Sequence, residues 1–234
     1  LSNFNLKRKK LKKLQTKKLF YNQYLYCVTC YNPLISIFRN KNLRQAKIIL
    51  DDIQNKYESG LPLWIKSALK QKSIDTKDFL DAKILYNFFA NYNDDYSLRC
   101  QVNNLCIYSN DKSWLKQITK KVKSVELFYE PSANSLNFLQ TNKNTIIVDN
   151  DFPYGYKCTF GYKKIPSNLA DWCERNTAKI KISKDTLKHI KNSGFVHGRY
   201  MYVKDDSILM LINIMAGNCI TRTDKLVTQQ NIDK

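Results

Sequence analysis

The stretch GRYMYVKDDSILMLINIMAGNCITRTDKLV, Gly198–Val227, changes its period twice. Alternation through Tyr200, Met201, Tyr202 and Val203 predicts a strand, the apolar run over 205–216 a helix, and the β-branched segment that closes the stretch a second strand. Upstream, GYKCTFGYK and AKIKIS are short segments of the same strand-forming kind, with helices predicted over 166–176 and 184–191. Residues 155–227 therefore read strand, helix, strand, short helix, strand, helix, strand. With the short helix set aside, this is the βαββαβ order of a ferredoxin-like split unit.

The same chemistry extends back to Ser97. CQVNNLCIYS, SVELFYE and NTIIVD read as strands, with a helix over 111–122 between the first two. Before Ser97 the period is helical. Leu43, Ala46, Leu50, Ile53 and Tyr57 recur at spacings of three and four, Pro62 suits the first turn of a second helix to about Lys72, and Phe79, Ala82, Tyr86 and Phe89 mark a third. The expected fold class is α+β, an N-terminal helical unit followed by a mixed α/β region. The expected divisions are a flexible basic arm over 1–18, a helical unit over 19–96 and a basic α+β domain over 97–234. The helical unit is the candidate docking surface for a protein partner.

Charge narrows the partner class. The chain carries 39 Lys and Arg against 20 Asp and Glu, a formal +19. Residues 1–18 hold +8, 19–96 hold +2 and 97–234 hold +9, so the arm is only part of the field. A field of that size attracts phosphate polymers and anionic surfaces. No apolar run reaches the roughly 18 residues of a membrane span; Ile208–Met215 is too short and contains Asn213. The N-terminal residues lack a secretory apolar core, and seven scattered cysteines suit free thiols in a reducing compartment. The expectation is a soluble cytoplasmic protein.

Candidate contacts follow the basic and aromatic residues. In the arm they are Lys7, Arg8, Lys9, Lys10, Lys12 and Lys13. In GFVHGRYMYVKD, alternation puts Gly198, Tyr200, Tyr202 and Lys204 on one face, where rings can stack on bases and cations can meet phosphates, while Arg199 shares the other face with His197, Met201 and Val203. The competing reading packs the tyrosines under a helix. In YGYKCTFGYKK, Tyr156, Cys158, Phe160 and Tyr162 alternate with Lys157, Thr159, Gly161 and Lys163. Lys157, Lys163 and Lys164 could join Lys179 and Lys181 in a cationic band, or simply solvate the strand.

Other chemistry has thinner support. CVTC at Cys27–Cys30 has the spacing of half a zinc site, but no second such pair exists and the two histidines, His189 and His197, are remote. Two packed thiols are the better reading. Asp149 and Asp151 end a predicted strand near Glu126 and Glu130, a possible metal-dependent nuclease arrangement, yet the following strand has no acid before its lysines. A polar turn into Pro153 is the simpler reading. No phosphate-loop, dinucleotide or nucleophile-elbow motif is present, and no cofactor is expected.

Residues 98–227, especially LRCQVNNLCIYSNDKSWL and GRYMYVKDDSILMLINIMAGNCITRTDKLV, resemble uncharacterised proteins of AT-rich marine tailed bacteriophages. The resemblance implies a phage protein acting in a bacterial cytoplasm or carried in a virion, and it assigns a role to no residue. The expected function is a non-catalytic nucleic-acid-binding protein, for DNA or RNA, that works mainly through phosphate contacts. The alternatives are a nuclease using Asp149 and Asp151, and an assembly protein contacting packaged genome.

Overall fold

The computed structural model describes residues 11–67 and 70–232. The chain forms two compact units. The first ends its N-terminal piece at Thr16 and continues as Gln23–Ser132, and the second comprises Lys17–Asn22 and Ala133–Lys234. Both are α+β. The main division falls after Ser132, not at residue 96, and residues 19–96 form no separate helical unit.

In the first unit, β1 (Lys12–Thr16), β2 (Tyr26–Tyr31), β5 (Tyr96–Gln101), β6 (Asn104–Ser109) and β7 (Val125–Pro131) make one sheet in the order β1-β7-β2-β6-β5. β1 runs parallel to β7, and the other neighbours are antiparallel. Helices α1 (Leu43–Glu58) and α2 (Thr76–Ala90) lie where the period predicted them. The helix expected over 62–72 is instead a hairpin of β3 (Trp64–Ser67) and β4 (Lys70–Ser73). All of these elements lie in the connection from β2 to β5. Buried Asp81 ties α2 to the rest, its carboxylate accepting from the backbone N–H groups of Lys123 at 3.1 Å and Ser124 at 2.7 Å. That turn follows α3 (Lys112–Lys121). Beside it Phe89, Tyr96 and Trp114 form an aromatic core, with ring centroids 5.4–6.4 Å apart.

The expected flexible arm is corrected in part. Lys12 and Lys13 belong to the edge strand β1. The next residues join the second unit, where Lys17 accepts through its carbonyl from Ile147 N–H at 2.7 Å and Lys18 bridges to Ile146. Lys7, Arg8, Lys9 and Lys10 lie outside the described residues.

The second unit contains α4 (Ala133–Thr141), β8 (Thr145–Val148), β9 (Tyr156–Phe160), α5 (Ser167–Arg175), β10 (Ile180–Ile182), α6 (Lys184–Lys191), β11 (Tyr200–Val203), α7 (Asp206–Ala216), β12 (Ile220–Thr228) and α8 (Gln229–Ile232). Its sheet order is β10-β11-β9-β12-β8, with β12 parallel to β8 and the rest antiparallel. Numbered by chain order within each unit, both sheets read 1-5-2-4-3, with the first and fifth strands parallel. The architecture is duplicated.

A short sequence echo accompanies the repeat. YSNDKSWL at Tyr108–Leu115 matches YVKDDSIL at Tyr202–Leu209 in Tyr, Asp, Ser and Leu. Both aspartates cap the following helix, Asp111 accepting from Trp114 N–H at 2.9 Å and Asp205 from Ile208 N–H at 3.0 Å. Ile118 and Ile212 then occupy equivalent buried turns.

The β5–β6 turn is a strained point of the first unit. Val102 has φ 54° and is 81% exposed, so a β-branched residue occupies the left-handed region without burial to compensate. Val102→Asn, which tolerates that region, should raise unfolding free energy by about 1 kcal/mol in urea denaturation. An unchanged or lower midpoint would show that the turn stores no strain.

Candidate nucleic-acid interface

The candidate interface grows from alternation in β9 and β11. Cys158, Phe160, Met201 and Val203 are fully buried with Leu169 and Cys173 of α5, Ile190 of α6 and Ile212 of α7. The helices thus cover one face, and the intervening residues turn to the other. Tyr200 is 43% exposed, and Tyr202 and Lys157 are half-buried. Burial of the tyrosines beneath a helix, the competing sequence reading, is not what is found.

Register sets the open face in two rows. Lys181 on β10, Tyr202 on β11, Lys157 on β9 and Asp224 on β12 are successive cross-strand partners. At ordinary strand spacing they span about 14 Å. Beside them Tyr200, Thr159 and Arg222 form the second row. Tyr202 lies 5.4 Å from Tyr200, 5.1 Å from Phe152 and 6.1 Å from Tyr154 between ring centroids. Lys157 Nζ sits 3.9 Å from the Tyr200 ring centroid and Lys181 Nζ 6.0 Å from that of Phe152. Four rings and two ammonium groups converge on one surface.

Asp224 anchors that surface from within. Only 2% exposed, it accepts from Arg222 Nε at 2.7 Å and lies 2.6 Å from Arg222 Nη2. This buried carboxylate holds the arginine flat along β12 and faces Lys157 across the ladder. Burial pushes the Lys157 ammonium below its ordinary range, and the charge of Lys18 pushes the same way; Asp224 opposes them and Arg222 adds to the lowering.

Other predicted contacts separate from this surface. Arg199 is engaged by Asp185 of α6. Lys163 and Lys164 are exposed on the loop after β9, Lys179 on the turn before β10 and Lys204 just past β11. Lys12 and Lys13 belong to the other unit. Sequence reading misses Phe152, Tyr154 and Arg222 as contacts: the residues leading into Pro153 read as a polar turn and Tyr154 as the start of a strand, and nothing local shows that Phe152 and Tyr154 fold beside Tyr202. It also misses an exposed trio just past β9 and just before β11, where His197 stacks on Tyr162 at 3.6 Å with Phe195 5.8 Å from His197.

The remaining candidates form no catalytic cluster. Asp149 pairs with Lys17 at 2.7 Å, Glu130 with Lys112 at 2.6 Å, and no group of three His, Cys, Asp or Glu among the described residues could hold a metal. CVTC lies in β2, where an extended chain sends residues three apart to opposite faces. Cys27 and Cys30 are packed thiols, and all seven cysteines are free. The neighbouring Cys27 and Thr29 draw the half-buried Cys106 thiol below its ordinary range, against its burial. No helix among the described residues is long and apolar enough to cross a membrane. No family model matches the chain, and neither does any curated protein or solved structure.

The lowered Lys157 ammonium has a measurable sign. Between its folded value and the ordinary 10.5, the unfolded chain binds more protons, so this group makes stability rise with pH through that window. Lys157→Met should raise the urea midpoint below the window and flatten the rise within it. A variant that keeps the slope would assign it to another group.

Proposed function

We propose that this chain is a non-catalytic nucleic-acid-binding protein whose second unit holds a single strand across the open face of its sheet. The observation that carries the reading is the shared face of Tyr200, Tyr202, Lys157, Lys181 and Arg222, with Phe152 and Tyr154 against Tyr202. Rings on a sheet stack bases that are already unpaired, and neighbouring cations neutralise the backbone. A duplex hides its base faces, so single strands suit this surface better. The strand order of β9 to β12 supports a ferredoxin-like βαββαβ reading, a plan in which an open four-stranded face is a known kind of base-stacking platform.

The second unit has seventeen basic against nine acidic residues, a net +8. Its binding would be phosphate-driven and steeply salt-dependent. The phage origin implied by the resemblance belongs to the same proposal and would place the protein in a bacterial cytoplasm or a virion. Nuclease action by Asp149 gains nothing from a carboxylate already paired with Lys17.

Fluorescence anisotropy on labelled single-stranded DNA and RNA tests the reading. Tyr200→Ala should weaken binding by about 1–3 kcal/mol at every salt concentration, because it removes stacking and no charge. Lys181→Ala should instead lower the slope of log K against log salt by about 0.7. Undetectable binding of both polymers at about 50 mM salt would overturn the proposal.

A further inference from the structure

The platform continues past β10 into a pocket of about 690 Å³ between that edge strand, α5 and α6. Its volume falls within the roughly 300–1,000 Å³ of small-molecule clefts. Tyr154 and Lys181 line both the pocket and the open face, so the two surfaces share a border. The inner wall is apolar, built from Ile180 and Ile182 of β10, Leu187 of α6 and Cys173 of α5. The rim is cationic, with Lys184, Lys188 and Lys191 at spacings of four and three along α6, and Lys181 across from them.

These lysines differ in what they are free to bind. Lys191 is held by Glu174 at 2.7 Å and Asp171 at 3.5 Å. Lys181, Lys184 and Lys188 make no salt bridge among the described residues. Asp185 offsets part of the Lys188 charge, and the Glu174 carboxylate in the lining is taken up by Lys191; the three ammonium groups around one apolar hollow still repel one another, and a phosphate would relieve that repulsion. Thr177 and Asn192 at the mouth add hydrogen-bonding groups suited to the edge of a base.

We propose that this pocket is a mononucleotide site, with the phosphate on Lys184 and Lys188 and the base between Tyr154 and Leu187. The ligand chemistry is a planar base joined to a phosphate dianion, available from a free nucleoside monophosphate or from the phosphorylated end of a strand. The strand-end case rests on the platform proposed above; the free-nucleotide case stands without it.

Isothermal titration calorimetry with AMP and UMP, with adenosine and inorganic phosphate as controls, reads the free-nucleotide case. The monophosphates should bind more tightly than either control. Lys184→Ala/Lys188→Ala should lower that affinity by about tenfold or more while leaving the thermal melt in place, because two exposed charge-assisted contacts are lost and no core residue changes. Leu187→Trp, which fills the hollow and spares every lysine, should lower it too. The platform variant Tyr200→Ala should bind AMP as the unmodified chain does.

Anisotropy with one oligonucleotide, carrying either a 5′-phosphate or a 5′-hydroxyl, reads the strand-end case. A preference for the phosphorylated end that the double lysine variant abolishes identifies strand ends as ligand, and monophosphate binding without that preference identifies the free nucleotide. If neither monophosphates nor phosphorylated ends are preferred, or if both pocket variants bind as the unmodified chain does, the pocket proposal fails. AMP binding retained while every oligonucleotide fails to bind would overturn the platform and leave the pocket standing.

Discussion

The alternation of β11 is the constraint on which the open face depends. Met201 and Val203 are fully buried beneath α5 to α7, and each lies between two outward tyrosines or next to one. A shift of one residue in register would put Tyr200 and Tyr202 into the helical core and expose two apolar side chains. Burying those two side chains is worth several kcal/mol, which is large beside typical net stability. Core packing thus fixes where the rings stand, and the exposed tyrosines follow from residues that never touch solvent.

Much of this was legible locally. The periods of Leu43–Glu58, Lys112–Lys121 and Lys184–Lys191 announced helices, and alternation correctly sorted Lys157 from Cys158 and Tyr202 from Met201. The failures share one cause, which is that they depend on long-range pairing. Lys12 and Lys13 looked like a loose arm because β1 is explained only by β7, more than a hundred residues away. Pro62–Lys72 read as a helix although a hairpin forms there. The contribution of Phe152 to the site depends on Tyr202, fifty residues further on.

The duplication escaped sequence reading for a related reason: its connections differ while its ladders agree. Sixty-four residues separate the second and third strands of the first unit, against nineteen in the second. Two residues separate its third and fourth strands, against seventeen. Register aligns them nonetheless. Positions equivalent to Lys157, Tyr200, Lys181 and Arg222 hold Cys27, Cys106, Ser97 and Leu127, while Tyr108 matches Tyr202 and Thr29 matches Thr159. The first copy keeps the sheet and lacks these charges, so the repeated strand order does not by itself bring the cationic face with it. This contrast separates the residues that the topology needs from those that the second face adds.

The acids of the second unit sharpen the same point. Asp149, Glu174 with Asp171, Asp185 and Asp224 engage Lys17, Lys191, Arg199 and Arg222. All but the last pair lie at exposed sites, where an ion pair contributes about 0–1 kcal/mol and removing it changes stability little. Their larger effect is on the field, because each paired cation contributes less to the potential at a distance. None of these acids forms an ion pair with Lys181, Lys184 or Lys188 among the described residues, although Asp185 feels the charge of Lys188, and Asp224 acts on Lys157 across the ladder. Lys157 and Lys181 are among the cations left without an ion pair in the described residues, and both stand beside aromatic rings, Lys157 over Tyr200 and Lys181 near Phe152. On the proposed reading, a polyanion drawn to these cations would meet the rings at the same place.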